Sequence, residues 1–305
     1  MSVQIKNVAV MGASGSVASI LIPTLLDAGF TVSAIIRPSS NAVFDPKVTV
    51  HRANYDDFSA LVTAFSGQDA VVSTVATFSA DIQTTAIKAA AAAKVKRFIP
   101  SEYGGDTSRP EKVDFAVFPT KKRRIVQQLQ ALEGEGLTWT AICTGAFIDW
   151  LLELENAAMG WDLAARKVTI FDAGDSQFDV STLDRVVQSI VSTLQHFEET
   201  KNTYVYVRSF TLTQNMLLEK LEHLSGKRFD ITRASTAEIA ARGAEHLRQG
   251  DLDNGYPEIV TAVGYGPWGW LDFKDRAVHW NRILQLPEEN LEDTLLAVLK
   301  RKGLI

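Results

Sequence analysis

The sequence predicts an α/β fold, a doubly wound parallel sheet with a smaller lobe interleaved with it. Two observations support this prediction. Short apolar segments typical of buried strands alternate with helical patterns through the first half of the chain, and the first of them runs into a glycine-rich turn that opens a helix. The strand-like segments lie at residues 8–11, 31–36, 48–53, 70–75, 97–100 and 138–143, and the clearest helical patterns at 78–93 and 120–132.

The turn after the first strand reads Gly12-Ala13-Ser14-Gly15-Ser16-Val17-Ala18. Its glycines let the backbone approach a pyrophosphate, whose charge then lies on the free amides at the N-terminus of the following helix. Alanine is an accepted substitute at the third glycine of this fingerprint. The strand–turn–helix context therefore predicts a Rossmann-type dinucleotide site, formed by Gly12, Ser14, Gly15, Ser16 and Val17.

The end of the second strand predicts which dinucleotide binds. It reads Arg37-Pro38-Ser39-Ser40, with no acidic residue to hold a ribose 2′-hydroxyl. An arginine at this position accommodates the 2′-phosphate of NADP, and serine hydroxyls can add donors. We therefore expect NADP(H) as the cofactor, with Arg37 and Ser39 on the phosphate.

Composition narrows the class of protein. The chain has 305 residues, 46% hydrophobic and 22% charged, with a net charge of −5, which suits a globular protein and gives no basic face for nucleic acid. The start runs straight into the first strand and no apolar stretch approaches a membrane span, so we expect no signal peptide, no membrane partner and a cytoplasmic location. One cysteine and five scattered histidines predict no metal site.

The second half breaks the alternation of strands and helices. Helical patterns at 182–194, 213–224 and 289–300, a capping box at Ser235–Glu238, and short strands at 167–171 and 204–207 that could extend the sheet predict a mixed lobe. We expect an NADP-binding domain over residues 1–150 and a substrate-binding lobe over 151–305, interleaved with it. The aromatic segment Tyr265–Trp270 is either a packed loop, a pocket wall or a contact in a possible homodimer.

Two segments lie where a nicotinamide ring would be expected. They read Arg97-Phe-Ile-Pro-Ser-Glu-Tyr-Gly-Gly105 after the fifth strand and Phe118-Pro-Thr-Lys-Lys-Arg-Arg-Ile125 at the start of the next helix. With the glycine turn and Arg37, they resemble the isoflavone reductase-like branch of the NmrA-like family, a group of atypical short-chain dehydrogenases. The resemblance covers most of the chain, above all residues 5–150, and Thr144-Gly-Ala-Phe147 resembles the fungal members.

The resemblance implies a catalytic lysine at the start of that helix. Lys122, Ile125 and Leu129 match the family pattern, which makes Lys122 the candidate for assisting proton transfer and contacting the cofactor ribose; Lys121 is the alternative. The tyrosine that precedes the lysine by four residues in typical short-chain dehydrogenases is replaced by Phe118, which cannot donate a proton. Tyr103 and Ser101 are the candidate substrate hydroxyls, although Ser101 could simply end the strand and Glu102 could anchor the backbone of the glycine-rich turn after it.

The resemblance also places further residues along the cofactor and substrate. Thr74, Val75 and Ala76 would pass along the cofactor, Gly145 and Phe147 would flank the nicotinamide, and Phe147 and Trp150 would form the substrate wall. Asn54 stands where many relatives have an acid near the adenine.

The expected activity is the reduction of a small aromatic or polyketide-like metabolite by NADPH, at an enone, a ketone or a benzylic ether, with Lys122 aiding protonation. Two alternatives stay open. The protein could bind NADP(H) as a non-catalytic sensing regulator, or it could act in the same pocket as a non-redox lyase, isomerase or cyclase.

Overall fold

The computed structural model describes residues 4–109, 117–153 and 158–305. Within these residues the strands are β1 (Asn7–Met11), β2 (Thr31–Ile36), β3 (Thr49–Arg52), β4 (Ala70–Ser73), β5 (Arg97–Ile99), β6 (Thr138–Cys143), β7 (Ala146–Phe147), β8 (Trp161–Asp162), β9 (Lys167–Phe171), β10 (Phe178–Ser181), β11 (Thr203–Tyr206), β12 (Phe210–Leu212) and β13 (Asp230–Ala234). Seven of them form a central sheet in the order β11-β6-β5-β4-β1-β2-β3.

Every pairing in this sheet is parallel, as the alternation of strands and helices predicted. Val10 in the central strand pairs with Ala34 on one side and with Val72 on the other, and all three are fully buried. Strands buried on both faces need such continuous apolar runs. The strand order reverses between β1 and β4, and the crevice at the carboxyl ends of these strands is where such sheets bind ligands.

The helices are α1 (Ser16–Asp27), α2 (Phe58–Phe65), α3 (Gln83–Ala92), α4 (Val117–Gln130), α5 (Ile148–Glu153), α6 (Leu183–Gln195), α7 (Gln214–Ser225), α8 (Thr236–Arg248), α9 (Leu252–Tyr265), α10 (Lys274–Ile283) and α11 (Leu291–Arg301). A 3₁₀ segment, Thr77–Ile82, precedes α3, so the helix predicted over 78–93 begins later as a regular α-helix. Helices α1 and α6 cover one face of the sheet, and α2, α3 and α4 cover the other.

The remaining strands build a second lobe with its own core. Two three-stranded sheets, β12-β10-β7 and β13-β9-β8, pack with α5, α7, α8, α9 and α11. The expectation that both 167–171 and 204–207 extend the central sheet is half correct. Strand β11 does extend it, pairing with β6, but β9 pairs with β8 and β13 in the second lobe.

The two parts of the molecule exchange segments. Strand β7 follows β6 after only two residues yet pairs with β10, in the second lobe, while α6 and β11 return to the central sheet. The carboxyl ends of β5 and β6 therefore face the second lobe directly. Among the described residues, no helix combines the length and apolarity that crossing a membrane would require.

Candidate active site

The glycine turn forms a backbone cradle between β1 and α1. Gly12 has a φ of +81°, and a Cβ there would lie 3.0 Å from the carbonyl carbon of Thr74, so only glycine fits without strain. The Gly15 amide donates to the Gly12 carbonyl at 3.0 Å, and Gly15 caps α1. No side chain of the described residues caps this helix, so amides of its first turn are open to an anion.

Two side chains hold the glycine turn in place through hydrogen bonds to its backbone and to the adjoining strands. The Thr74 hydroxyl donates to the Met11 carbonyl at 3.0 Å, so Thr74 acts on the cradle through its side chain. The Tyr55 hydroxyl accepts from the Gly12 amide at 3.1 Å and donates to the Ile35 carbonyl at 2.8 Å, which ties the turn to the end of β2. Tyr55 was not among the predicted site residues, because the sequence gives no sign that its hydroxyl reaches β1.

Arg37 leaves β2 with its side chain exposed, as does Ser39. The Ser40 amide donates to the Arg37 carbonyl at 3.0 Å, which closes a tight turn. Arg52, at the end of β3, donates through Nη1 to the carbonyls of Pro38 and Ser40 at 3.1 Å and 2.6 Å. The neighbouring strand thus holds this turn in place. Ser14, Ser16 and Ala76 are also exposed on the same edge of the sheet.

A cavity of about 400 Å³ lies beyond the carboxyl ends of β4, β5 and β6. Its floor comes from the central sheet and its connections, through Thr77, Tyr103, Gly104, Lys122 and Gly145. Its walls are mostly apolar and aromatic and come largely from the second lobe: Phe78, Phe147, Trp150, Leu151, Met159, Tyr256, Pro257, Val260, Trp270 and Leu271.

Lys122 reaches this cavity from the buried face of α4, where it follows Phe118 and precedes Ile125 and Leu129. Its side chain is buried, at 8% exposure, and Nζ donates to the Glu102 carbonyl at 2.8 Å. Burial lowers the pKa of Lys122, and the Glu102 carboxylate opposes that shift. Lys121 instead points to the surface, with Nζ 2.7 Å from Asp81 Oδ2. Of the two candidates, only Lys122 lines the cavity.

The two candidate hydroxyls after β5 differ in placement. Tyr103 lines the cavity, and its buried hydroxyl has no hydrogen-bond partner among the described residues. Burial raises the pKa of Tyr103, which keeps the phenol protonated and able to donate. Ser101 does not line the cavity. Its hydroxyl donates to the Val75 carbonyl at 2.7 Å, so the geometry favours the strand-ending role over the substrate contact.

Glu102 also differs from its expected role. Its side chain is 1% exposed, and Oε1 accepts from the Thr107 hydroxyl rather than from backbone amides of the glycine-rich turn. Burial raises the pKa of Glu102 to about 7, with Lys122 and Thr107 acting in the opposite direction. A buried carboxylate thus lies behind the lysine of the cavity.

Phe147 and Trp150 are the two residues expected to form the substrate wall. Their rings meet edge to face with centroids 4.7 Å apart, and both line the cavity. Gly145, just before them, has a φ of +71°, and a Cβ there would collide with the Asp179 carbonyl oxygen at 2.1 Å. Its amide donates to the Gly104 carbonyl at 3.0 Å, so β6 and the loop after β5 are held together at the cavity floor.

Helix α9 covers the cavity and was not among the predicted site elements. Tyr256 packs with its ring centroid 4.7 Å from each of Phe78 and Phe118. Phe118, at the position of the usual short-chain dehydrogenase tyrosine, therefore serves as a packing contact for this helix.

The aromatic segment 265–270 divides between two of its predicted roles. Tyr265 is a core residue that accepts a hydrogen bond from Trp161 Nε1 at 3.2 Å and stacks on Phe171. Trp270 lines the cavity and packs on Gly105, where a Cβ would lie 2.3 Å from the indole ring.

Comparisons with known proteins agree with this architecture. The model of the NmrA-like family matches residues 4–248. The oxidoreductase aprR of Aspergillus flavus is 35% identical over 302 residues, which cover 96% of this chain and 99% of aprR. The isoflavone reductase homolog P3 of Arabidopsis thaliana is 27% identical over 249 residues, 76% of this chain and 79% of that protein.

Among solved structures, the complex of AtPrR2 with NADP+ and (+)pinoresinol superposes with a TM-score of 0.77 at 21% identity, covering 98% of this chain and 100% of AtPrR2. That likeness confirms the predicted fold. The relatives' names agree with the prediction of an oxidoreductase. The chain therefore belongs to the NmrA-like family, on the branch that also holds the isoflavone reductases and fungal oxidoreductases such as aprR.

Proposed function

We propose that the protein is an NADPH-dependent reductase of a small aromatic or polyketide-like metabolite, which it reduces at an enone, a ketone or a benzylic ether. The observation that carries the proposal is Lys122, a lysine buried in the wall of an aromatic cavity at the carboxyl ends of the strands of a dinucleotide-binding sheet. Relatives named as oxidoreductases, and the NADP+ complex of AtPrR2, support the class and the cofactor.

The residues of the glycine turn fit the cofactor's diphosphate. Gly12 and Gly15 remove the side chains that would block a close approach, and the uncapped first turn of α1 offers amides to the negative charge. Arg37 and Ser39 lie exposed at the end of β2, where a 2′-phosphate would be bound in such a sheet. NADPH, when bound, supplies the hydride.

Lys122 supplies the proton and the electrostatic stabilisation that the reduction needs. An oxygen conjugated to the reacting carbon gains negative charge as hydride arrives, and an ammonium in an apolar wall stabilises that charge more strongly than one in water. Because burial lowers the pKa of Lys122, the ammonium also gives up its proton more readily than a surface lysine. The substrate gains one hydride and one proton in total.

The cavity favours a flat, neutral substrate that carries oxygen. Aromatic side chains on both sides, among them Phe147, Trp150 and Tyr256, suit an aromatic ring. The Tyr103 hydroxyl and Trp270 Nε1 are buried donors with no partner among the described residues, so a substrate oxygen near either would satisfy it. A volume of about 400 Å³ suits a small molecule.

The test is NADPH consumption with product mass analysis against phenolic enones, ketones, benzylic ethers and an extract of the host. We expect NADPH oxidation matched by a gain of two hydrogens, found in one product or, where an open-chain ether is cleaved, shared between two. Tight NADPH binding without turnover of any compound would indicate the sensing regulator instead. A new product formed while NADPH stays unconsumed would indicate a lyase, isomerase or cyclase.

A further inference from the structure

We propose that Glu102 is a positioning residue for Lys122: its buried carboxylate supplies the countercharge that keeps the Lys122 ammonium protonated inside the apolar cavity. This inference rests on the proposed function, in which Lys122 is the proton donor. It concerns a different residue, and its test does not require turnover.

The geometry brings the Lys122 head group to the main chain of Glu102, in a dry part of the molecule. Lys122 Nζ donates to the main-chain carbonyl of Glu102 at 2.8 Å, so the lysine head is fixed against the residue that carries the carboxylate. Glu102 is 1% exposed and Lys122 is 8% exposed. Water therefore does little to screen the attraction between them, and each charge depends on the protein for compensation.

The carboxylate is only partly satisfied by neighbours. Oε1 accepts from Thr107, whose hydroxyl lies 3.4 Å from the Tyr204 hydroxyl, whereas buried Oε2 has no hydrogen-bond partner among the described residues. Leaving a buried carboxylate oxygen in this state is costly unless a nearby charge compensates it. Lys122 is that charge, since the neighbouring Arg276 is already bound to Asp106 at 2.8 Å.

Among the residues that the structure describes, Glu102 is the main electrostatic partner of Lys122. Other titratable and charged side chains of the described residues surround the pair. On the side away from the cavity these are Asp106, Cys143, Tyr204, Tyr206 and Arg276, and along the cavity they are Tyr103, Asp253 and Tyr256. Asp106 has its own cation, burial keeps the Cys143 thiol neutral by raising its pKa, and Asp253 is exposed. Burial likewise raises the pKa of Tyr103, Tyr204, Tyr206 and Tyr256, so these phenols stay neutral.

Glu102 therefore sets the pH range in which Lys122 is protonated and can act as the proton donor. With the carboxylate charged, Lys122 holds a proton that burial alone would remove at lower pH. Without that charge, Lys122 would be neutral over more of the pH range, and the donor of the reaction would be lost.

The experiment measures the protonation of Lys122 directly, by pH-dependent acylation with acetic anhydride. Only the neutral amine reacts, and tandem mass spectrometry of a peptide that holds both lysines separates Lys122 from Lys121. Lys121, which is half-buried and paired with Asp81 outside the cavity, is the internal reference. We expect Glu102→Gln to move the Lys122 midpoint about one pH unit lower. Glu135→Gln, the same change at an exposed position, should leave it unchanged.

Thr107→Val provides a second variant in case Glu102→Gln does not fold. Loss of the hydroxyl donor makes the Glu102 carboxylate easier to protonate, so the Lys122 midpoint should move in the same direction by a smaller amount. An unchanged Lys122 midpoint in folded Glu102→Gln protein would overturn the inference. If only Thr107→Val folds, an unchanged midpoint in that variant would overturn it. Failure of the wild type to oxidise NADPH with any substrate would overturn the proposed function and leave this readout intact.

Discussion

Lys121 and Lys122 are neighbours in the chain, but their side chains meet opposite environments. Lys122 lies on the helix face that carries Phe118, Ile125 and Leu129, and this face turns inward, whereas Lys121 projects to Asp81 at the surface. The 3.6-residue period of the helix explains this difference. The period makes Lys122 the better candidate from sequence, but the carbonyl that holds its Nζ comes from a segment twenty residues away, and no local pattern predicts that contact.

We expect a second single residue, Arg37, to determine cofactor selectivity. We expect Arg37→Ala to weaken NADPH binding about ten- to hundredfold, because a hydrogen bond to a charged phosphate is worth about 1.5–3 kcal/mol. NADH lacks the 2′-phosphate, so its affinity should hardly change, and it serves as the control ligand. Dissociation constants from nicotinamide fluorescence check this. Equal losses for both cofactors would mean that Arg37 does not bind the 2′-phosphate.

Strands, helices and turns that depend on residues close together in the chain were predicted from the sequence. The six strands of the first half, the turn at Gly12 and the helices capped by Thr182, Thr213 and Ser235 lie within a few residues of their predicted bounds. Strand β9 was assigned to the wrong sheet, because pairing with β13 depends on residues 63 positions away. The cover provided by α9 was missed for the same reason: this helix reaches the cavity from the far end of the chain.

The packing of Gly105 on Trp270 joins two such distant elements and can be tested. We expect Gly105→Ala to destabilise the protein by about 1–3 kcal/mol, because the new methyl group overlaps the indole ring and forces it to shift. Urea unfolding measures this change. Gly134→Ala is the matched control, since a Cβ there meets nothing within 4 Å, and it should change stability by less than about 0.5 kcal/mol. Equal stabilities for the two variants would contradict the proposed overlap.

For the whole molecule, an ion pair ties the loop after β5 to a helix from the far end of the chain. Arg276 on α10 binds Asp106, which follows β5, at 2.8 Å, and its guanidinium also lies 3.8 Å from the centre of the Tyr206 ring. Burial alone would raise the pKa of Asp106, but hydrogen bonds from Ser108 and Arg276, with the Arg276 charge, outweigh it and lower the pKa. This ion pair helps hold the loop after β5, and with it Tyr103 and Gly104, against α10, which packs on β11 of the central sheet.

The lowered pKa of Asp106 gives this connection a defined pH dependence. A carboxyl whose folded pKa is depressed stabilises the protein above its unfolded pKa, about 3.9, and this stabilisation is lost as the pH falls through the folded value. We expect Arg276→Met to cost about 2 kcal/mol at pH 7, less than for a fully buried pair because Arg276 is 33% exposed. The difference from wild type should shrink below pH 4.

Urea unfolding at several pH values measures this effect. Arg248→Met is the control, because Arg248 forms an exposed pair with Glu245 and should contribute little at any pH. A cost for Arg276→Met that stays constant from pH 7 to acid would mean that the ion pair is not its source.

In the proposed reaction, Lys122 assists hydride transfer from NADPH to a substrate in the aromatic cavity. The decisive measurement follows deuterium from NADPH that carries deuterium at both C4 positions into the product, with wild type, Lys122→Ala and Lys121→Ala compared on one substrate. We predict a deuterated product with wild type and Lys121→Ala, and a rate about 10²–10⁴-fold lower with Lys122→Ala. A product without deuterium would contradict hydride transfer from NADPH, and equal rates for the two lysine variants would contradict the role of Lys122.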